Sequence, residues 1–360
     1  MDDVAERLSD REFLAQMCEA SGLSGSEDRL ANVIARQFSP LVDEVRKDAL
    51  GNLIMLKRGS AEDGPSLMLA AHMDEIGLMV TAVEEGGFLR FTKVGGIDPR
   101  NLPAKEVLIL AADEPVPGII GVKPPHLTSP EEREKAIKLE DMYIDVGLEE
   151  EGARARIRVG DAAVFRRTTY RLTGDRMAGK AMDDRSGVAA LYEAAVKMQS
   201  LRSQVDVYFV ATVQEEVGLR GAVTSTYDIM PDVAIAVDVG YARSPGTPEH
   251  VTAEMGEGPA ISQGANIHPH LFERLTEVAR EERIPHQREI LPGASGTDAW
   301  SMQVTRSGVP TALVSIPLRY MHSTVEMLSW SDVRNAGALL AYFAAGMDRR
   351  FVEGFYYDAQ

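Results

Sequence analysis

The sequence predicts an α/β protein: a mixed, largely parallel sheet flanked by helices, with a small β-barrel domain inserted into it. Three observations carry this. Short continuous apolar runs, such as Leu67-Met68-Leu69-Ala70-Ala71 and Val233-Ala234-Ile235-Ala236-Val237, are those of strands buried on both faces. Stretches with helical spacing alternate with them towards both ends of the chain, as a parallel sheet requires. Between about residues 75 and 167 the pattern changes to many short strands separated by Gly and Pro clusters, as in a small barrel.

Taken in order, a helix is predicted near Arg11 to Ser21. A second follows Ser24-Gly25-Ser26-Glu27-Asp28, with Ser26 as its cap and acids at the positive end of its dipole. Leu30, Val33, Ile34 and Phe38 give it one apolar face. Asn52 to Leu56 and Ser66 to Ala71 read as strands. The inserted module holds strands at Leu78 to Val83, Phe88 to Lys93, Glu106 to Leu110, Ile119 to Val122 and Ala162 to Arg166. Gly86-Gly87, Gly95-Gly96 and Lys123-Pro124-Pro125 punctuate it. Helices follow at Asp184 to Ser200, His270 to Arg283 and Ser331 to Met347, with strands at Val205 to Thr212, Val233 to Val237 and Thr311 to Ile316 between them. The expected division is an α/β domain from residues 1–74 and 168–360, and a β-rich domain from 75–167.

Composition narrows the function. The 360 residues suit two or three domains, and 44% hydrophobic with 26% charged residues is ordinary for a globular protein. The net charge of -17 excludes a general nucleic-acid binder, since phosphates would be repelled. One cysteine, Cys18, permits no intrachain disulfide and fits a reducing compartment. The acidic start of the chain lacks the apolar core of a signal peptide, and no apolar stretch approaches the ~20 residues of a membrane span. The expectation is a cytoplasmic protein that binds neither membrane nor nucleic acid.

Five short segments carry chemistry. His72-Met73-Asp74-Glu75 follows a buried strand, where α/β sheets place their sites, and Asp74 is positioned to hold the second nitrogen of His72. Asp183-Asp184 precedes a helix, where carboxylates cap; a carboxylate with two free oxygens also bridges two metal ions. Glu215-Glu216 and Asp238 end two further strands, and His322 follows a third. Taken singly, each is better read as a cap, a solvated loop or a structural histidine. Together they bring two imidazoles and several carboxylates to the mouth of one sheet. That donor set suits borderline ions such as Zn²⁺, and it suits a pair of them roughly 3.5–4 Å apart.

The ordered set Ala71-His72-Met73-Asp74-Glu75-Ile76-Gly77, Met182-Asp183-Asp184-Arg185, Glu215-Glu216-Val217-Gly218, Asp238-Val239-Gly240 and Arg319-Tyr320-Met321-His322-Ser323 closely resembles metallopeptidase family forty-two, the glutamyl and deblocking, or tetrahedral, aminopeptidases. Gly121 to Leu127, Ile144 to Gly147 and Gly296-Thr297-Asp298-Ala299 extend the resemblance over nearly the whole chain. It implies a phosphorylase/hydrolase-like fold of the zinc exopeptidase type. It implies two divalent metal ions per subunit, Zn²⁺ or Co²⁺. His72 and Asp238 would bind one ion and Glu216 and His322 the other, with Asp183 bridging. Asp74 would orient His72. A metal-bound water would be the nucleophile and Glu215 its general base. The peptide bond between Asp183 and Asp184 would be cis. The β module would dimerise, and dimers would assemble into a tetrahedral dodecamer acting on peptides with a free N-terminus.

Two rival activities use the same residues. A dimetal carboxypeptidase or deacylase needs a cation for a substrate carboxylate, and Arg319 lies near His322 in sequence. A glycoside hydrolase would use two carboxylates as acid and base. Glu215 and Glu216 are adjacent, which is a poor way to flank a glycosidic bond, and the histidines would then have no role.

Overall fold

The computed structural model describes residues 10–133 and 135–355. The strands in chain order are β1 (Glu44–Lys47), β2 (Leu53–Lys57), β3 (Ser66–His72), β4 (Gly77–Val83), β5 (Leu89–Val94), β6 (Glu106–Ile109), β7 (Val116–Val122), β8 (Met142–Asp145), β9 (Ala162–Phe165), β10 (Tyr170–Arg171), β11 (Arg176–Gly179), β12 (Asp206–Thr212), β13 (Val233–Tyr241), β14 (Ala260–Gly264), β15 (Gln287–Leu291), β16 (Thr311–Arg319) and β17 (Glu326–Ser329).

β4 to β9 close into a barrel in the order β4-β5-β8-β7-β6-β9. The other eleven form one sheet, β1-β2-β12-β3-β13-β16-β17-β11-β10, with β14 joined to β16 and β15 to β14. The sheet is mixed, and less parallel than the periodicity predicts. Parallel pairing joins β12, β3, β13 and β16 at the centre, and β14 to β15 at the side. The outer pairs are antiparallel. Several of these outer strands are two to four residues long and carry no continuous apolar run, so the sequence did not mark them.

Alternation along the central strands builds two cores. Leu67, Leu69 and Ala71 of β3 face the larger one, with Phe209 and Ala211 of β12. That core is covered by the helices Asp10–Glu19, Asp28–Phe38, Met182–Lys197 and Trp330–Gly346. Met68 and Ala70 face the other side with Val210, Ala234, Ala236 and Leu313, under the helices Arg220–Ile229 and Asp298–Gln303. Side chains two apart share a face, so β3 ends by turning His72 to the second side, and β13 does the same with Asp238. The barrel has its own core, with Leu78, Val80, Leu89, Phe91, Val107 and Ile144 inside.

Helix starts differ in two places from expectation. Helix Asp28–Phe38 is preceded by Glu27, which makes no side-chain capping bond, and Ser26 is not the cap. Helix Met182–Lys197 opens with non-helical backbone at Asp183 and Asp184. Here the two carboxylates divide the work. Asp184 accepts from the Gly187 N–H (2.9 Å) as a cap does, while Asp183 points elsewhere.

Candidate metal centre and active site

His72, the last residue of β3, lies in register with Thr212 of β12. Its Nδ1 is 3.1 Å from the Asp74 carbonyl oxygen and 3.6 Å from the Asp74 carboxylate. Asp74 is fully buried and accepts from the Ser24 hydroxyl (2.6 Å) and the Glu215 N–H (3.0 Å). It therefore ties the end of β3 to the turn after β12. That leaves His72 Nε2 facing the site, 3.1 Å from Asp183 Oδ1 and 3.8 Å from Glu215 Oε2.

His322 reaches the same carboxylate from the other side. Its Nε2 is 3.3 Å from Asp183 Oδ2 and 3.5 Å from Glu216 Oε2. Asp183 thus turns one oxygen to each imidazole. His72, Asp183 and Glu216 offer ligand atoms within 4.8 Å of one another, and so do His72, Asp184 and Asp238. The peptide bond between Asp183 and Asp184 is cis. Ala181, Gln214, Tyr320 and His322 adopt left-handed backbone, a conformation that side chains other than glycine adopt at a cost and that gathers at functional sites.

The electrostatics are those of a buried pocket in which carboxylates outnumber imidazoles. Burial pushes Glu215 up to about 10, Glu216 to about 7, and Asp184 and Asp238 well above the usual carboxylate range. The Asp183 contact raises His322 to about 9. Burial also opposes ionisation of Asp183, yet the two imidazoles hold its carboxyl below the ordinary value. Asp184 Oδ2 is buried with no hydrogen-bond partner. So many carboxylates forced to keep protons, one of them with an orphaned oxygen, are a donor set that fits divalent cations.

The cluster opens into a cavity of ≈ 650 Å³. Its walls include His72, Asp183, Glu215, Glu216, Asp238 and His322, and among the described residues no lysine or arginine. Arg319 is not in that wall, and its Nε is committed to the Arg243 carbonyl (2.7 Å).

Sequence reasoning gave no role to several residues that shape the site. Glu326 of β17 is buried and accepts from the N–H groups of both Asp183 (3.1 Å) and His322 (2.9 Å), tying two segments together. Asp298 accepts from the Thr212 hydroxyl, and burial pushes it up to about 6. Gly96, from the barrel, packs so closely that a Cβ there would lie 2.7 Å from His322 Nδ1. Only the doubled glycine at 95–96 hinted at that approach.

Fold and site together are those of a peptide hydrolase, with acidic side chains and imidazoles at the mouth of a parallel-centred sheet. The chain belongs to the M42 glutamyl aminopeptidase family, whose sequence profile matches residues 51–339. It is 39% identical to the lysyl aminopeptidase of Pyrococcus furiosus over 333 residues, 91% of this chain and 94% of that protein. The TET aminopeptidase of Thaumarchaeota archaeon SCGC AB-539-E09 superposes with a TM-score of 0.92 at 35% identity, covering 96% of this chain and 99% of that one. The TET1 peptidase of Pyrococcus horikoshii, described as assembling into a tetrahedron or a large octahedral shell, gives 0.82 at 34%, covering 94% and 100%. The chain is an aminopeptidase of this family, an enzyme that hydrolyses peptides.

Proposed function

We propose that the protein is a dimetal aminopeptidase in which Asp183 bridges two divalent cations. The observation that carries this reading is the pair of Asp183 oxygens, one directed at each imidazole. His72 and Asp238 would hold one cation, and Glu216 and His322 the other. Zn²⁺ or Co²⁺ suits this mixture of imidazole and carboxylate. Such ions would supply Lewis acidity towards the scissile carbonyl and lower the pKa of water.

The chain's own residues do the rest. Asp74 fixes the ring of His72. Glu215, nearly buried and within 4 Å of His72, is placed to take a proton from the attacking water and return it to the leaving amine. The acidic walls favour a substrate's free α-ammonium over an N-acylated end or a C-terminal carboxylate. This argues against carboxypeptidase and deacylase action. In the same reading, residues 75–167 form a dimerisation domain on a catalytic domain of 1–74 and 168–360, dimers build a tetrahedral dodecamer, and the enzyme works in the cytoplasm.

The test is hydrolysis of free and N-acetylated aminoacyl-p-nitroanilides by cation-loaded protein, with and without chelator. We expect chelator-sensitive cleavage of the free-amine substrates alone. Absence of any such cleavage at two bound cations per chain would overturn the reading.

A further inference from the structure

The cavity beside the metal centre contains a carboxylate that the proposed chemistry does not use. Glu289 of β15 lies in register with Ser262 of β14, and β14 pairs with β16 at Ser315. Ser315 is in turn the register partner of Asp238 on β13. All of these side chains emerge on the Asp238 side of the sheet. Ser262 and Ser315 are buried, and both hydroxyls donate to the same oxygen, Glu289 Oε2, at 2.6 and 2.7 Å. Two buried donors on one oxygen fix the carboxylate and leave Oε1 facing the cavity.

Gly240 keeps that oxygen open. A Cβ there would lie 3.2 Å from Glu289 Oε1 and 3.1 Å from the Ser315 Cβ. Gly240 is two residues beyond Asp238, which along a strand is about 6.6 Å, within reach of the four-carbon stem of lysine. Ile290, Leu291 and Leu313 give the cavity an apolar wall for such a stem. No lysine or arginine among the described residues lines the cavity, so nothing there neutralises Glu289 or welcomes an acidic side chain.

We infer that Glu289 is a specificity-determining residue that selects peptides with a cationic first side chain, lysine or arginine. The assignment rests on the aminopeptidase reading above. A fixed carboxylate at the end of an apolar slot pairs with an ammonium or guanidinium and repels a carboxylate.

The test compares lysyl-, arginyl-, leucyl- and glutamyl-p-nitroanilides with cation-loaded wild type, Glu289→Gln and Glu289→Lys. In the wild type, kcat/KM is expected to be highest for lysyl and arginyl and lowest for glutamyl. Glu289→Gln should cut the lysyl-to-leucyl ratio of kcat/KM about 10–100-fold, and Glu289→Lys should raise the glutamyl-to-leucyl ratio. A ratio within one preparation does not depend on the folded fraction. A wild type that prefers leucyl or glutamyl substrates, or ratios unmoved by both variants, would overturn the assignment and leave the aminopeptidase reading standing. A wild type that cleaves none of the four overturns both.

Discussion

Asp183 is the residue on which the candidate centre turns, because its two oxygens face the two imidazoles, His72 and His322. Asp183→Ala should abolish tight binding of both cations, whereas His322→Ala should weaken one more than the other; calorimetric titration with Zn²⁺ separates these outcomes. Glu215 has a different task. Glu215→Gln should keep the cation stoichiometry of the wild type while kcat falls about 10²–10⁴-fold. Equal loss of cations and activity would make Glu215 a ligand instead of the base. At this scale the sequence showed much. His72, Asp74, Asp183, Glu215, Glu216, Asp238 and His322 all arrive at one place, since each follows a recognisable strand or opens a recognisable helix. Glu326, Glu289 and Gly96 were not legible. Their significance arises from what they touch across the fold, 143 positions away in the case of Glu326 and Asp183, and no local pattern encodes that.

Among the elements, the joint between barrel and sheet holds a buried network of ions. Arg185 is wholly buried at the start of its helix. It donates to the carbonyls of Met73 (3.2 Å), Met17 (2.6 Å) and Ala20 (2.7 Å), and to Glu75 (3.0 Å). Glu75 also accepts from Lys180 (2.5 Å) and the Gly22 N–H (3.0 Å). Burial works against ionised Glu75, but the two cations hold its carboxyl below the ordinary value. Glu75→Ala would leave both cations buried without an anion. It should cost about 3–5 kcal/mol in denaturant unfolding. A second element-level test uses Glu27, at the head of helix Asp28–Phe38. Burial raises its carboxyl from 4.5 to about 7, and its Oε1 accepts from the Gly25 N–H. The folded chain then holds a proton that the unfolded chain has released, so stability falls as pH rises from 4.5 through about 7. Glu27→Gln keeps the acceptor and removes the charge. It should stabilise the protein by about 1–2 kcal/mol at pH 8 and by far less at pH 4, measured by unfolding at each pH. The central strands and the helices Asp10–Glu19, Asp28–Phe38, Met182–Lys197, Pro269–Glu281 and Trp330–Gly346 were readable from apolar patterning, whereas the shorter helices Arg220–Ile229 and Asp298–Gln303 were not. Short antiparallel strands such as β10 and β17 were not, because two to four residues are too few to establish a period.

For the molecule as a whole, the barrel carries exposed apolar side chains, with Ile119 at 55% and Leu127 at 69% exposure. On the proposed assembly these lie between barrels. Light scattering should then give twelve times the 39.3 kDa mass of one chain. Ile119→Asp combined with Leu127→Asp should reduce that mass, and an unchanged mass would place the interface elsewhere. The α/β architecture with its inserted barrel was legible because the texture of the sequence changes abruptly near residues 75 and 167. The mixed character of the sheet was expected too, but which outer strands pair antiparallel was hidden, because pairing direction depends on how the chain returns between strands.

The two-sided alternation of β3 and β13 also limits how this chain can change its length. Deleting one residue between Met68 and His72 would turn every later side chain of β3 to the opposite face. Ala71 would then occupy the direction of His72, and His72 would enter the hydrocarbon core. The same holds for Asp238 in β13. Insertions and deletions are therefore excluded from these two strands and from the turns that carry Glu215, Glu216 and His322, while drift in the remaining connections alters the walls of the cavity. The register of two strands separates what this fold can vary between descendants from what it must transmit unaltered.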